Sequence, residues 1–216
     1  MISNDSEFDK TIYPQVEDKK IKIENRARGG RSSRTYFTEG LWNEALKDIK
    51  AGDFVIMQFG HNDGSVPDTS RAGNRGTLKG TGDETKELTY ADGHKEIVHT
   101  YGWYLKKFIR EAKAKGATAV VCSMIPRNEW KEGKVIRAGS SFGQWAADAA
   151  KAEGASFLDL NKITADKYDE LGPDKVKAFF PGDHTHTNEE GARLNAASVI
   201  DGIKQLQLPI AKAVKQ

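Results

Sequence analysis

The chain has 216 residues, 38% of them hydrophobic and 30% charged, with 33 basic against 31 acidic side chains and a net charge of +2. That length buries a full core in one domain or a small pair, and so even a charge balance leaves no electrostatic footprint for a nucleic-acid partner. No run approaches the roughly 18 apolar residues that cross a bilayer, so no membrane partner is expected.

The chain opens Met1-Ile2-Ser3-Asn4-Asp5-Ser6-Glu7, without the basic-then-apolar pattern of a secretory signal peptide. Lys20–Glu24 (Lys-Ile-Lys-Ile-Glu) alternates strictly and predicts a half-buried strand. Leu41, Trp42, Ala45, Leu46 and Ile49 make one helical face, closed by Gly52. Phe54–Phe59 (Phe-Val-Ile-Met-Gln-Phe) then reads as a buried strand. Gly64–Gly93 is polar and glycine-rich, and a loop of that length in a compact domain is functional or mobile. Because sites in open α/β sheets lie at the carboxyl ends of strands, this loop is expected to overhang the site and touch substrate.

Val98, Tyr101, Leu105, Phe108, Ile109 and Ala112 line a second helix, with Gly116 where a C-terminal cap belongs. Thr118–Ile125 follows as a strand ended by Pro126, and the only cysteine, Cys122, is expected to be buried within it. Phe142, Trp145, Ala146 and Ala149 mark a third helix, and Ala155–Leu160 a fourth strand. The last helix opens on a capping-box pattern, Thr187 with Glu190, and runs through Ala192, Ala196, Val199, Ile203 and Leu206. Strand and helix alternate throughout, which predicts one α/β domain with a parallel sheet covered on both faces.

Three clusters carry residues suited to chemistry. Gly29-Gly30-Arg31-Ser32-Ser33-Arg34 offers close backbone approach and arginines that fork onto oxyanions, or else a plain tight turn; it lacks the lysine of a phosphate-binding loop. In Gly60-His61-Asn62-Asp63, the Asn62 amide just past a strand is a candidate oxyanion donor, against the plainer reading of an Asn-Asp turn. In Asp183-His184-Thr185-His186, either histidine serves as general base with Asp183 as its orienter, while a zinc site or a purely structural helix start are the competing readings. Of Trp103, Trp130 and Trp145, Trp130, flanked by Asn128, Glu129 and Lys131, is the better candidate for stacking on a ligand; Trp145 shares the core stripe of Phe142 and Ala149.

Taken together and in this order, the three clusters resemble those of the SGNH (GDSL-type) hydrolase superfamily, and most closely the rhamnogalacturonan acetylesterases. The resemblance runs from about Lys20 to Leu208 and includes Val98-His99-Thr100-Tyr101-Gly102-Trp103-Tyr104 and Ile125-Pro126-Arg127-Asn128. It implies a flavodoxin-like, three-layer α/β/α fold, a secreted or periplasmic parent, no cofactor, and removal of acetyl groups from an acetylated pectic polysaccharide. It also implies Gly30 (backbone N–H) and Asn62 (side chain) as oxyanion donors, His186 as base and Asp183 as its partner. Arg31, His61 and Trp130 are the expected substrate contacts.

The resemblance stops at the nucleophile. The family opens with an apolar strand running into Gly-Asp-Ser, whereas the nearest run here is Asn4-Asp5-Ser6, with five residues before Ser6. Ser32, Ser33 and Ser123 follow strands without the family's context. The expectation is therefore a chain that begins after the first strand and nucleophile loop, impaired as an esterase, with a non-catalytic glycan-binding protein as the alternative. Sheets of this class run 2-1-3-4-5, so a chain without its first strand leaves a lane between Lys20–Glu24 and Phe54–Phe59.

Overall fold

A computed structural model describes residues 21–139 and 141–214. Its strands are β1 (Phe54–Gln58), β2 (Thr85–Thr89), β3 (Lys95–His99), β4 (Thr118–Cys122), β5 (Trp130–Lys131), β6 (Lys134–Val135) and β7 (Ser156–Leu158). β1, β4 and β7 form a parallel sheet in that order, in register from Phe54 opposite Thr118 and from Val120 opposite Ser156. Two antiparallel hairpins, β2–β3 and β5–β6, stand outside it.

The period-two geometry of a strand sorts the central residues into two cores. Val55, Met57, Ala119 and Val121 face one way, into Trp42, Tyr104, Leu105, Phe108 and Ala149 of the helices Leu41–Asp48, Tyr101–Ala114 and Phe142–Ala152. Ile56, Val120, Cys122 and Leu158 face the other, onto Leu160, Ala196, Val199 and Ile203 of the helices Leu160–Leu171 and Glu189–Gln205. The fold is thus three-layer α/β/α. Cys122 is buried, and burial pushes its thiol up to about 12.

Gly202 shows how close the second layer lies. A Cβ there would meet Leu158 Cγ at 2.5 Å and Cδ2 at 2.6 Å. Alanine is normally worth about 1 kcal/mol over glycine inside a helix. Here the clash reverses the sign, and Gly202→Ala is expected to lower stability by about 1–3 kcal/mol in urea unfolding.

Several elements differ from expectation. Ile21–Glu24 keeps its alternation in burial but belongs to no strand of the described sheets; Lys20 lies outside the described residues. Between Ile21–Arg26 and Phe54–Ile56 runs a groove of about 970 Å³, walled by Ala45 and Ile49 on one side and Val199, Ile203 and Ile210 on the other. Val98 sits in β3, and its helix starts only at Tyr101, where the Thr100 side chain accepts from Trp103 N. The last helix is capped one residue later than the capping-box pattern suggests. Asn188 Oδ1 accepts from Gly191 N at 3.1 Å while Asn188 N and Nδ2 donate to Phe179 O and Ala178 O, so Thr187 is left buried before the cap.

The Gly64–Gly93 stretch is not a bare loop, since it holds β2 and leads into β3. Only Leu88 of β2 is buried, which is why its pattern does not announce a strand. What pins the hairpin is Arg34. Its side chain, 2% exposed, donates to Glu96 Oε1 (2.7 Å) and Oε2 (2.6 Å), to Gly76 O (2.9 Å) and to the Tyr90 hydroxyl (2.7 Å).

Candidate active site

The carboxyl end of β1 turns sharply at Gly60, whose φ of 136° and missing Cβ let Met124 pack against it. Asp63 N donates to Gly60 O at 3.1 Å, so the expected turn is present and holds His61 and Asn62 at the carboxyl end of the strand. Opposite lies the Gly29–Ser33 turn, where Gly30 takes a φ of 75°. Asn62 Nδ2 donates to Arg31 O at 3.3 Å, placing the two candidate anion donors on facing loops. Among the described residues the Gly30 N–H has no acceptor, while its carbonyl accepts from Arg75 Nη1 at 2.7 Å.

The third cluster closes on itself. Asp183 Oδ1 accepts from the N–H groups of Thr185 (2.6 Å) and His186 (2.8 Å), and its Oδ2 lies 2.7 Å from His186 Nδ1. The His186 amide, its ring and the Thr185 amide together hold the Asp183 carboxyl well below the usual carboxylate range. With Nδ1–H directed at a carboxylate, the ring presents Nε2 as a lone pair, the tautomer a general base needs. His186 is 80% exposed in its side chain. His184 turns the other way, with Nε2 3.6 Å from Glu129 Oε1, so the two imidazoles face different carboxylates.

His61 packs beneath this site with its Nε2 buried and unpartnered among the described residues. Burial first, and the Arg127 cation second, push its pKa down to about 4, so the ring is neutral at pH 7. Arg31 is engaged elsewhere, donating to Glu39 Oε2 (2.8 Å) and Gly29 O (3.1 Å). Trp130 donates from Nε1 to Asn128 Oδ1, and Asn128 N donates to His184 O, which ties the indole to the Asp183–His186 turn. Trp145 packs against the first core, as its stripe predicts.

None of the alternative serines is free. Ser32 Oγ caps the Ser33–Thr38 helix, Ser33 Oγ donates to Asp63 Oδ1 at 2.5 Å, and Ser123 Oγ donates to Asp159 while accepting from Asn161 N. Ser6 lies outside the described residues, and among those described no hydroxyl bonds to His186.

Asp63 is the residue that sequence reasoning passed over, having read it only as half of a turn. It is fully buried, and burial pushes its carboxyl up to about 7 against the donors from Ser33 and Gly60. A raised carboxyl binds its proton more tightly folded than unfolded. Its contribution to stability is therefore complete below about pH 4 and is lost as pH rises through 7. Asp63→Asn, which cannot ionise, should gain stability over the parent progressively from pH 4 to 8 and show no such gain below pH 4; thermal melts across that range measure it.

Known proteins share sequence and fold with this chain. Residues 12–194 match the GDSL-like lipase/acylhydrolase family. The chain is 36% identical over 183 residues to a rhamnogalacturonan acetylesterase of Emericella nidulans, covering 85% of this chain and 74% of that one. It is 26% identical over 214 residues to the rhamnogalacturonan acetylesterase RhgT of Bacillus subtilis, covering 92% and 81%. Among solved structures, protein YxiM of Bacillus subtilis superimposes with a TM-score of 0.74 at 20% identity, over 96% of this chain and 52% of that one. A catalytic mutant of Axe2, an acetylxylan esterase of Geobacillus stearothermophilus, gives 0.56 at 16% identity, over 91% and 78%. These two structures share the fold.

Proposed function

Because the chain belongs to the GDSL-like lipase/acylhydrolase family, a family of carboxylic ester hydrolases, we propose that its site acts on O-acetyl esters of pectic polysaccharide of the rhamnogalacturonan type. The observation that carries this reading is the Asp183–His186 pair, with Nδ1 held at 2.7 Å and Nε2 left open. In the proposed reaction His186 Nε2 takes the proton of a serine hydroxyl as its oxygen attacks the acetyl carbonyl, and Asp183 stabilises the imidazolium. The Gly30 N–H and the Asn62 amide hold the developing oxyanion. His186 then returns the proton to the departing sugar oxygen, and water releases acetate from the serine ester by the same steps reversed. The relatives named for rhamnogalacturonan favour that glycan over xylan.

No described hydroxyl meets His186, and this favours a second reading in which the chain binds the acetylated glycan and turns it over poorly. Titration with acetylated and chemically deacetylated rhamnogalacturonan oligosaccharides, with acetate measured alongside, separates the two. Preference for the acetylated ligand with slow, His186-dependent release supports the proposal. Equal binding of both ligands, or release unchanged in His186→Ala, overturns it.

A further inference from the structure

A buried carboxyl group is costly, and one with an oxygen left over is costlier still. Asp63 is such a group: it has no exposed surface, and its Oδ2 has no hydrogen-bond partner among the described residues. Its other oxygen does all the bonding, accepting both from Ser33 N at 3.0 Å and from Ser33 Oγ at 2.5 Å. The two residues are 30 positions apart, and each is the immediate support of a donor loop. Ser33 opens the helix that follows the Gly30 turn, itself closed by Arg31 N on Arg28 O, and Asp63 closes the turn that carries Asn62. The Asp63 carbonyl is bound in turn by Thr77 N at 3.1 Å and Thr77 Oγ1 at 3.4 Å, so a third segment fixes the same residue from behind. Besides this clasp, one long bond joins the two loops near the donors, from Asn62 Nδ2 to Arg31 O at 3.3 Å. That bond uses the very group required for the oxyanion.

We propose that Asp63, acting through Ser33, is the positioning residue that sets the separation and orientation of the Gly30 N–H and the Asn62 amide. The inference rests on reading those two groups as the anion donors. The clasp leaves the donors correctly spaced when the Asn62 amide lets go of Arg31 O to engage a ligand. A donor displaced by a fraction of an ångström loses much of its effect, and a whole donor is worth about 10²–10³ in rate. Asp63 itself touches no reacting atom in this scheme.

The test reads donor geometry without relying on turnover. Nitrogen-15 correlation spectra of the full chain report the Gly30 amide and the Asn62 side-chain amide in the parent, Asp63→Asn, Asp63→Ala and Ser33→Ala. Asp63→Asn keeps an oxygen that accepts from Ser33, so both signals should stay near their parental positions. Asp63→Ala and Ser33→Ala should move both signals and speed exchange of the Ser33 amide at least tenfold, with the Val120 and Val121 amides unchanged. Parental signals in Ser33→Ala would overturn the proposal. So would Asp63→Asn behaving as Asp63→Ala, or exchange quickening equally at Val120 and Val121. If Asp63→Ala does not fold, Ser33→Ala, which removes one hydroxyl, decides by the same criteria. A protein that released no acetate would sink the esterase reading and leave these signals as they are; a failed clasp would leave acetate release to be judged on its own.

Discussion

Acetate release from a small aryl acetate by this chain should stay at a residual level, about 10³–10⁴-fold over the uncatalysed reaction at most. His186 Nδ1 and Asp183 Oδ2 stand 2.7 Å apart, yet no described hydroxyl stands at His186 Nε2. Unless a hydroxyl outside the described residues reaches that nitrogen, only anion donation and binding remain to lower the barrier. Stopped assays with and without Ser6→Ala check this directly. Fast release abolished by Ser6→Ala would identify Ser6 as the nucleophile, and fast release that survives it would point to another serine. Ser32, Ser33 and Ser123 are poor alternatives because each hydroxyl is already committed to a cap or a carboxylate.

Arg34→Met should lower stability by about 3–5 kcal/mol, toward the lower end because the Glu96 side chain keeps 18% exposure. The loss comes less from the missing ion pair than from the Gly76 carbonyl left without its donor and the Glu96 carboxylate left with Tyr90 alone. Against a total of about 5–15 kcal/mol, that is enough to open the β2–β3 hairpin at moderate urea. The double variant Arg34→Met, Glu96→Leu should recover much of the loss; no recovery would mean the arginine acts through packing alone. The pair also sets a pH limit. Burial pushes the Glu96 carboxyl up, but hydrogen bonds from Arg34 and Tyr90 outweigh it and hold the group below its ordinary value of 4.5. Its contribution is therefore present above about pH 4.5 and lost as pH falls through the lowered value.

The layered fold was legible because β1 and β4 are buried on both faces and read as unbroken apolar runs, with helix stripes between them. Elements whose burial is one-sided or polar were not. β2 shows the core a single leucine, and the Leu160–Leu171 helix buries Asn161, Thr164 and Tyr168 beside its aliphatic positions, so no apolar period emerges. At the site, residue types located the turn Asp183–His186 but left two histidines open. The choice depends on which carboxylate each ring faces, and Glu129, the partner of His184, is 55 residues away in sequence. Arg31, named as an expected contact, is held at the surface by Glu39, eight residues on, a pairing that the cluster's own residues do not announce. Asp63 was hidden by its neighbour, since an Asn-Asp turn accounts for the pair without asking where the second side chain goes.

Cys122 gives the molecule a chronometer of its own. It is the chain's one thiol, it sits at the end of the central strand of the parallel sheet, and 1% of it meets solvent. A disulfide reagent therefore labels the protein only when β4 opens, at a rate set by the population of that open form whenever closing outpaces labelling. Every substitution discussed above changes either the sheet's neighbours or the loops beyond it. Labelling half-times would sort them without a dye, a tag or an active enzyme: Gly202→Ala should hasten the reaction, and Ser33→Ala should leave it alone.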